Sequence, residues 1–378
     1  MFLRDLSLIN FKNYEEVRLE FGSGINCFVG NNGSGKTNLL DAIHYLSLCK
    51  SYFNPIDSQN IRHEAPFFVI QGVFKNSEKQ ANVYCGVKRG QKKVFKLNQK
   101  EYERLAEHIG SFPLVMISPA DSELITEGSE SRRRFLDSVI SQYDSNYLNQ
   151  LIHYNRALSQ RNALLKQFNE SGRFDPESLE VWDLQLIEYG TPVYEGRKKF
   201  MSEFVPMFQE FYRILSESKE TVELNYTSDL NRLTFQEALS KALGRDRAVQ
   251  HSTAGVHKDE LEFFINKHTL RKTGSQGQQK TFLLALKLAQ YEFIRLRRPG
   301  QDPPVLLLDD IHDKLDESRV KKLMELICNR QFGQVFVTDT HLHRLASVFS
   351  ELKIDCRVFQ VEEGRVRLIE ADDLHELA

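Results

Sequence analysis

The chain lacks what several large classes of protein require. Its 378 residues hold five cysteines, Cys27, Cys49, Cys85, Cys328 and Cys356, none of them in a Cys-x-x-Cys pair. Scattered and odd in number, they argue against a disulfide framework or a structural zinc site and fit a reducing cytosol. No stretch approaches the ~20 apolar residues of a membrane span, and Arg4 and Asp5 break the apolar run of the first residues. A soluble, cytoplasmic protein without a membrane partner is expected. Charge of neither sign is in excess. Fifty Lys and Arg face fifty-two Asp and Glu, a net charge of -2, which excludes a strongly basic nucleic-acid coat and leaves DNA or RNA contact to local patches or to surfaces assembled across a dimer. There is no Gly-x-Ser-x-Gly nucleophile elbow, and His341-x-His343 alone is a weak metal pair. Internal repeats and low-complexity tracts are also missing.

What remains is ordinary globular material, 41% hydrophobic and 27% charged, long enough for two or three domains at roughly 100–200 residues each. Alternating apolar residues predict strands over 3–8, 17–21 and 25–29, then over 67–74, 81–88 and 93–97, with a buried strand at 113–117. Between about Arg132 and Leu215 the period changes to a three-four alternation, predicting two antiparallel helices joined near 169–176. Pro192 and Pro206 are expected to interrupt or kink the second. After Thr234 the α/β character returns, with a helix near 279–297 and buried strands at 305–308 and 334–337. The pattern predicts an α/β head, residues 1–118 and 245–378, split by a mainly helical arm, residues 119–244.

Gly30-Asn31-Asn32-Gly33-Ser34-Gly35-Lys36-Thr37 satisfies G-x-x-x-x-G-K-[ST] between a strand and a helix. Glycines let backbone N–H groups close on phosphate oxygens, and the helix that follows, continuing through Asn38, adds its positive end. Lys36 is then the residue that reaches the β- and γ-phosphates of ATP, and the Thr37 hydroxyl a ligand of Mg²⁺. The apolar run Val305–Leu308 ends in Asp309 and Asp310. Buried parallel strands end this way where nucleotides bind, which makes Asp309 the second Mg²⁺ residue and Asp310 the group that orients or deprotonates the attacking water. Lys36 and Asp310 are the expected catalytic pair.

Gly274-Ser275-Gln276-Gly277-Gln278-Gln279 resembles the signature motif of ABC-type ATPases, with Ser275, Gly277 and Gln278 on the matching positions. In that class the motif of one copy closes on the nucleotide of another. Leu315-Asp316 falls at the D-loop interval, with Asp313 where the class usually has Ser; Asp339 stands where many members carry a switch His, and His341 comes two residues late. Together with Leu8-Ile9-Asn10-Phe11-Lys12-Asn13-Tyr14, Ser118-Pro119-Ala120-Asp121, Arg132-Arg133-Arg134-Phe135-Leu136-Asp137 and Thr253-Ala254-Gly255-Val256-His257-Lys258-Asp259-Glu260, these motifs make nearly the whole chain resemble the RecF family of bacterial DNA repair proteins, in the SMC-like branch of ABC ATPases.

The resemblance implies an ABC-type head, with a mixed sheet plus an antiparallel β segment, and Lys12 beside the nucleotide where the family usually has Arg. It implies an ATP-dependent homodimer that binds duplex or gapped DNA without sequence preference, hydrolyses ATP slowly, and helps load recombinase at damaged replication sites with RecR and RecO, within the SOS response. Basic patches for DNA are expected at Lys88, Arg89, Lys92, Lys93 and Lys96, at Arg132, Arg133 and Arg134, at Arg197, Lys198 and Lys199, and at Arg295, Arg297 and Arg298. Two other readings remain: the motor subunit of an ABC transporter, and a defence-system ABC ATPase.

Overall fold

The computed structural model describes residues 1–76, 78–216, 220–310, 317–329, 332–340 and 356–369. The D-loop positions Asp313, Leu315 and Asp316, and His341 with His343, lie outside the described residues. By internal contacts the chain divides into two compact units, Met1–Asp121 with Lys280–Ala378, and Ser122–Gln279. Residues 245–279 thus group with the helices, where the sequence pattern assigned them to the head.

The first unit opens with β1 (Phe2–Phe11), β2 (Tyr14–Glu20) and β3 (Ile25–Val29), followed by α1 (Lys36–Leu48). After it come β4 (Phe67–Lys75), β5 (Gln80–Lys88), β6 (Val94–Leu97), β7 (Lys100–Glu101) and β8 (Leu114–Ile117). The second unit holds α2 (Glu123–Thr126), α3 (Ser129–Ser141), α4 (Ser145–Ser171), α5 (Pro176–Ser216), β9 (Val222–Thr227), α6 (Phe235–Val249), β10 (Glu260–Ile265), β11 (His268–Thr269) and α7 (Leu270–Thr273). Then α8 (Gln276–Leu296) leads back to β12 (Val305–Leu308), α9 (Glu317–Asn329), β13 (Val335–Asp339), β14 (Cys356–Glu362) and β15 (Arg365–Ile369) of the first unit.

Two sheets build that unit. One is antiparallel, in the order β2-β1-β4-β5-β6-β7; the other runs β15-β14-β3-β13-β12-β8, parallel except for β15. Residues of both sheets and of α1 form one core, including Leu8, Phe28, Leu40, Ile43, Phe68 and Phe336. β3, β12 and β13 are buried along their whole length, which is why they read as continuous apolar runs rather than as alternation. β13 lies between β3 and β12, so the phosphate-loop strand and the acidic strand end are one strand apart at the same edge.

In the second unit α4 and α5 are 27 and 41 residues long, ~40 and ~60 Å at 1.5 Å per residue. α5 is unbroken although Pro192 and Pro206 lie within it. Both prolines are on the exposed side, where water can take the carbonyl each leaves without an N–H, while the buried stripe of Val193, Phe200, Phe204, Phe208 and Phe211 continues beneath. Arg197, expected in a surface patch, is 2% exposed. Its guanidinium makes two bonds of 3.0 Å to Asp137 and reaches the Val256 carbonyl at 2.7 Å and Asp259 at 2.9 Å. It is a buried tie between α3, α5 and the segment before β10, and contributes nothing to a basic surface.

Candidate nucleotide site

The Gly30–Thr37 loop leaves the end of β3 and turns into α1 at Lys36. A Cβ on Gly30 would run into the Val361 carbonyl of β14, and Gly35 has a φ of +118° as N-cap of α1; both positions require glycine. With no capping side chain and no acid in its first turn, α1 presents its unsatisfied N–H groups to the loop. The loop is braced from outside. Asn13 Nδ2 donates to the Ser34 carbonyl at 3.0 Å, the Tyr14 hydroxyl to the Gly35 carbonyl at 3.0 Å, and the Gly364 N–H to the Ser34 carbonyl at 3.2 Å. Asn38 Nδ2 in turn holds Asn13 Oδ1 at 2.7 Å. Asn13 and Tyr14 fall in the motif at 8–14, whereas Gly364, in the turn between β14 and β15, is a site-forming residue that motif matching does not single out.

Lys36 is buried and donates to the Gly30 and Asn31 carbonyls at 2.7 and 3.0 Å, which aims its ammonium back across the loop. The Ser34 hydroxyl is buried without a hydrogen-bond partner, which fits a donor meant for phosphate oxygens. Thr37 Oγ1 donates to Asp309 Oδ1 at 2.9 Å, and Thr338 Oγ1, from β13, donates to the same oxygen at 2.9 Å. The Asp310 N–H donates to Thr338 Oγ1 at 2.9 Å, and Asp310 has a φ of +47°, uncommon for a residue with a side chain. Burial pushes the Asp309 carboxyl up to about 6, aided by Asp310 and opposed by the two hydroxyls and Lys36; it is 4% exposed. Thr338 is the residue sequence reasoning missed. Its signal was weak: a Thr at the end of a buried strand, 29 positions from its partner.

Lys12 is placed beside α1, its ammonium 2.6 Å from Asp41 Oδ2 and 5.4 Å from the centre of the Phe53 ring. Among the described residues no group of three His, Cys, Asp or Glu could hold a metal; a hydroxyl and one carboxylate suit instead a cation that keeps water and phosphate ligands, as Mg²⁺ does.

Ser275, Gly277 and Gln278 belong to the second unit and open α8. Ser275 N–H donates to Gln278 Oε1 at 2.7 Å and Gln278 N–H to Ser275 Oγ at 3.2 Å, a reciprocal cap, while Gln278 Nε2 holds Glu220 at 2.5 Å. The expected basic patches are divided. Lys88, Arg89, Lys92 and Arg134 are exposed. Lys93 is tied to Asp57 at 2.8 Å and the Cys49 carbonyl at 2.6 Å. Arg132 donates to the Leu124 and Glu127 carbonyls, and Arg133 to that of Asp259 at 2.7 Å. These three arginine and lysine side chains are engaged locally, so the runs are not uniform charged faces.

The sheet order, the glycine loop and the threonine-held aspartate define the head of an ABC-type ATPase of the SMC kind. The model of the RecF/RecN/SMC N-terminal domain matches residues 2–366. The DNA replication and repair protein RecF of Phocaeicola vulgatus is 50% identical over 367 residues, 97% of this chain and 98% of that one; that of Flavobacterium johnsoniae is 47% identical over 361 residues, 96% and 100%. A solved structure of the recombination mediator protein RecF-ATPrS in the RecFOR pathway superposes with a TM-score of 0.87 at 30% identity, covering 98% of both chains. An SMC head bound to the C-terminal winged-helix domain of ScpA, at a TM-score of 0.59 and 16% identity over the full length of both chains, shares the fold. The chain belongs to the RecF family.

Proposed function

We propose that this chain is an ATP-switched, DNA-binding repair protein. The carrying observation is the convergence of Thr37 and Thr338 on one carboxylate oxygen of Asp309 beside the loop. The loop N–H groups, Lys36, Ser34 and Asn38 hold the ATP phosphates, with Gly30, Asn31, Asn32, Gly33 and Gly35 shaping the backbone around them and Lys12 beside α1. Thr37 and Asp309 hold Mg²⁺, which when bound neutralises the phosphate charge. Asp310 orients or deprotonates the attacking water. Ser275, Gly277 and Gln278 of a second copy complete the site, so ATP closes a homodimer and slow, DNA-stimulated hydrolysis opens it. Exposed Lys88, Arg89, Lys92 and Arg134 contribute phosphate contacts without sequence preference. The helical unit acts as the arm, and RecR and RecO are the partners with which recombinase is loaded at damaged replication sites in the cytoplasm. Among the described residues no helix is long and apolar enough to cross a membrane.

Sedimentation velocity of wild type, Lys36→Ala and Asp310→Asn, with and without ATP and duplex DNA, tests this. Lys36→Ala should lose ATP binding and stay monomeric; Asp310→Asn should bind ATP, accumulate as the dimer and retain DNA. An Asp310→Asn protein that binds ATP yet remains a monomer rules the switch out.

A further inference from the structure

The helical unit carries a concave basic site of its own, away from every residue of the phosphate loop in sequence. A cavity of about 290 Å³ is lined by Ile125, Arg132, Glu262, Phe263, Thr269, Arg271 and Lys272. Arg132 forms one wall, its guanidinium 5.8 Å from the centre of the Phe263 ring and its Nη1 committed to the Leu124 and Glu127 carbonyls. Its Nε is buried with no hydrogen-bond partner. The nearest acid, Glu260, is 4.0 Å from Nη2 and accepts the Ser129 hydroxyl as well. Burial, and the like charges of Arg271 and Arg133, draw the Arg132 pKa below its usual value against the opposing Glu260 and Glu262. Arg271 and Lys272 are exposed, and among the described residues neither side chain makes a hydrogen bond or an ion pair. Three cationic residues and Thr269 therefore border one cavity with Glu262 as the sole acid lining it.

We propose that this cavity binds a phosphate group. Positive charge at a half-desolvated arginine with its nearest acid 4.0 Å away is costly. A tetrahedral phosphate, with one charge and two free oxygens in a DNA diester and up to two charges and three or four oxygens in a free phosphate compound, bridges two cations at once. The phosphate is that of a DNA backbone or a free phosphate compound. Arg271 and Lys272 are followed directly by Thr273-Gly274-Ser275, so an occupant would tie the segment that leads into the α8 cap. The inference does not depend on the ATP switch proposed above.

Arginine modification by phenylglyoxal, read residue by residue by peptide mass spectrometry, tests it in the full-length Lys36→Ala protein, where the phosphate loop is disabled. At constant ionic strength, inorganic phosphate or duplex DNA should slow modification of Arg271 at least fivefold relative to chloride. Protection by inorganic phosphate assigns a free phosphate compound, and protection by DNA alone assigns the backbone. Lys272→Ala should weaken that protection about tenfold in half-saturating concentration, the size of one charge-assisted hydrogen bond. Equal rates in phosphate, DNA and chloride overturn the proposal. So does equal protection by glutamate, or protection unchanged in Lys272→Ala.

Discussion

His108 gives the protein a measurable sensitivity to acid. The side chain is 0% exposed. Its Nε2 donates to the Leu46 carbonyl at 2.7 Å, and Nδ1 accepts from the Tyr102 hydroxyl at 3.2 Å; the ring packs 4.7 Å from Phe95 and 5.5 Å from Phe112. Burial lowers its pKa from 6.5 to about 4, the Leu46 carbonyl opposing. The unfolded chain takes up a proton near pH ~6.5 and the folded one only near 4, so the stability from keeping His108 neutral is whole above 6.5 and is lost as pH falls toward 4. About 2.5 units at ~1.4 kcal/mol each come to about 3 kcal/mol, of which about 2 is gone by pH 5. Substituting His108→Gln removes the titration while leaving an amide N–H for Leu46. Lost ring packing should cost about 1–2 kcal/mol at pH 7.5, and the deficit should shrink and reverse as pH falls to 4.5. Urea unfolding of both proteins across that range measures the difference, in which all other titrating groups cancel. Curves that stay parallel from pH 7.5 to 4.5 would show that His108 protonates alike in both states, and the burial argument fails.

Two further outcomes follow from buried groups. Arg197→Met strands Asp137 and Asp259 without their cation and should cost about 3–5 kcal/mol, seen in urea unfolding and partly restored by adding Asp137→Asn; a loss under ~1 kcal/mol would show that the tie is not stabilising. Gly30→Ala places a methyl against the Val361 carbonyl and should weaken ATP binding at least tenfold by calorimetry, while far-ultraviolet circular dichroism stays unchanged; undiminished affinity contradicts the fit of loop to β14.

The phosphate loop, the Asp309-Asp310 strand end, the two long helices and the family were legible because each rests on residues consecutive or periodic in the chain. Buried parallel strands announce themselves as apolar runs, and helices by their repeat. The β14–β15 hairpin and β9 were not read in advance, although β9 has a period of two, because a single short strand takes its meaning from the neighbours it pairs with. In β9 those neighbours come from β10, more than thirty residues later.

Charge was the least legible property. The sequence by itself determined that basic residues cluster at 132–134 and 197–199, and that two of the family motifs contain Asp137 and Asp259. Only the tertiary structure decided that these two acids meet on Arg197 and bury it, that Lys93 is held by Asp57, and that Arg132 borders a cavity with Arg271. It also brought Thr338 and Thr37 to the same oxygen of Asp309, and Gly364 to the back of the phosphate loop. The physical reason is the same throughout. A local pattern sets which backbone forms and which side chains exist, whereas the solvation and partners of a charge depend on the packing of distant segments around it.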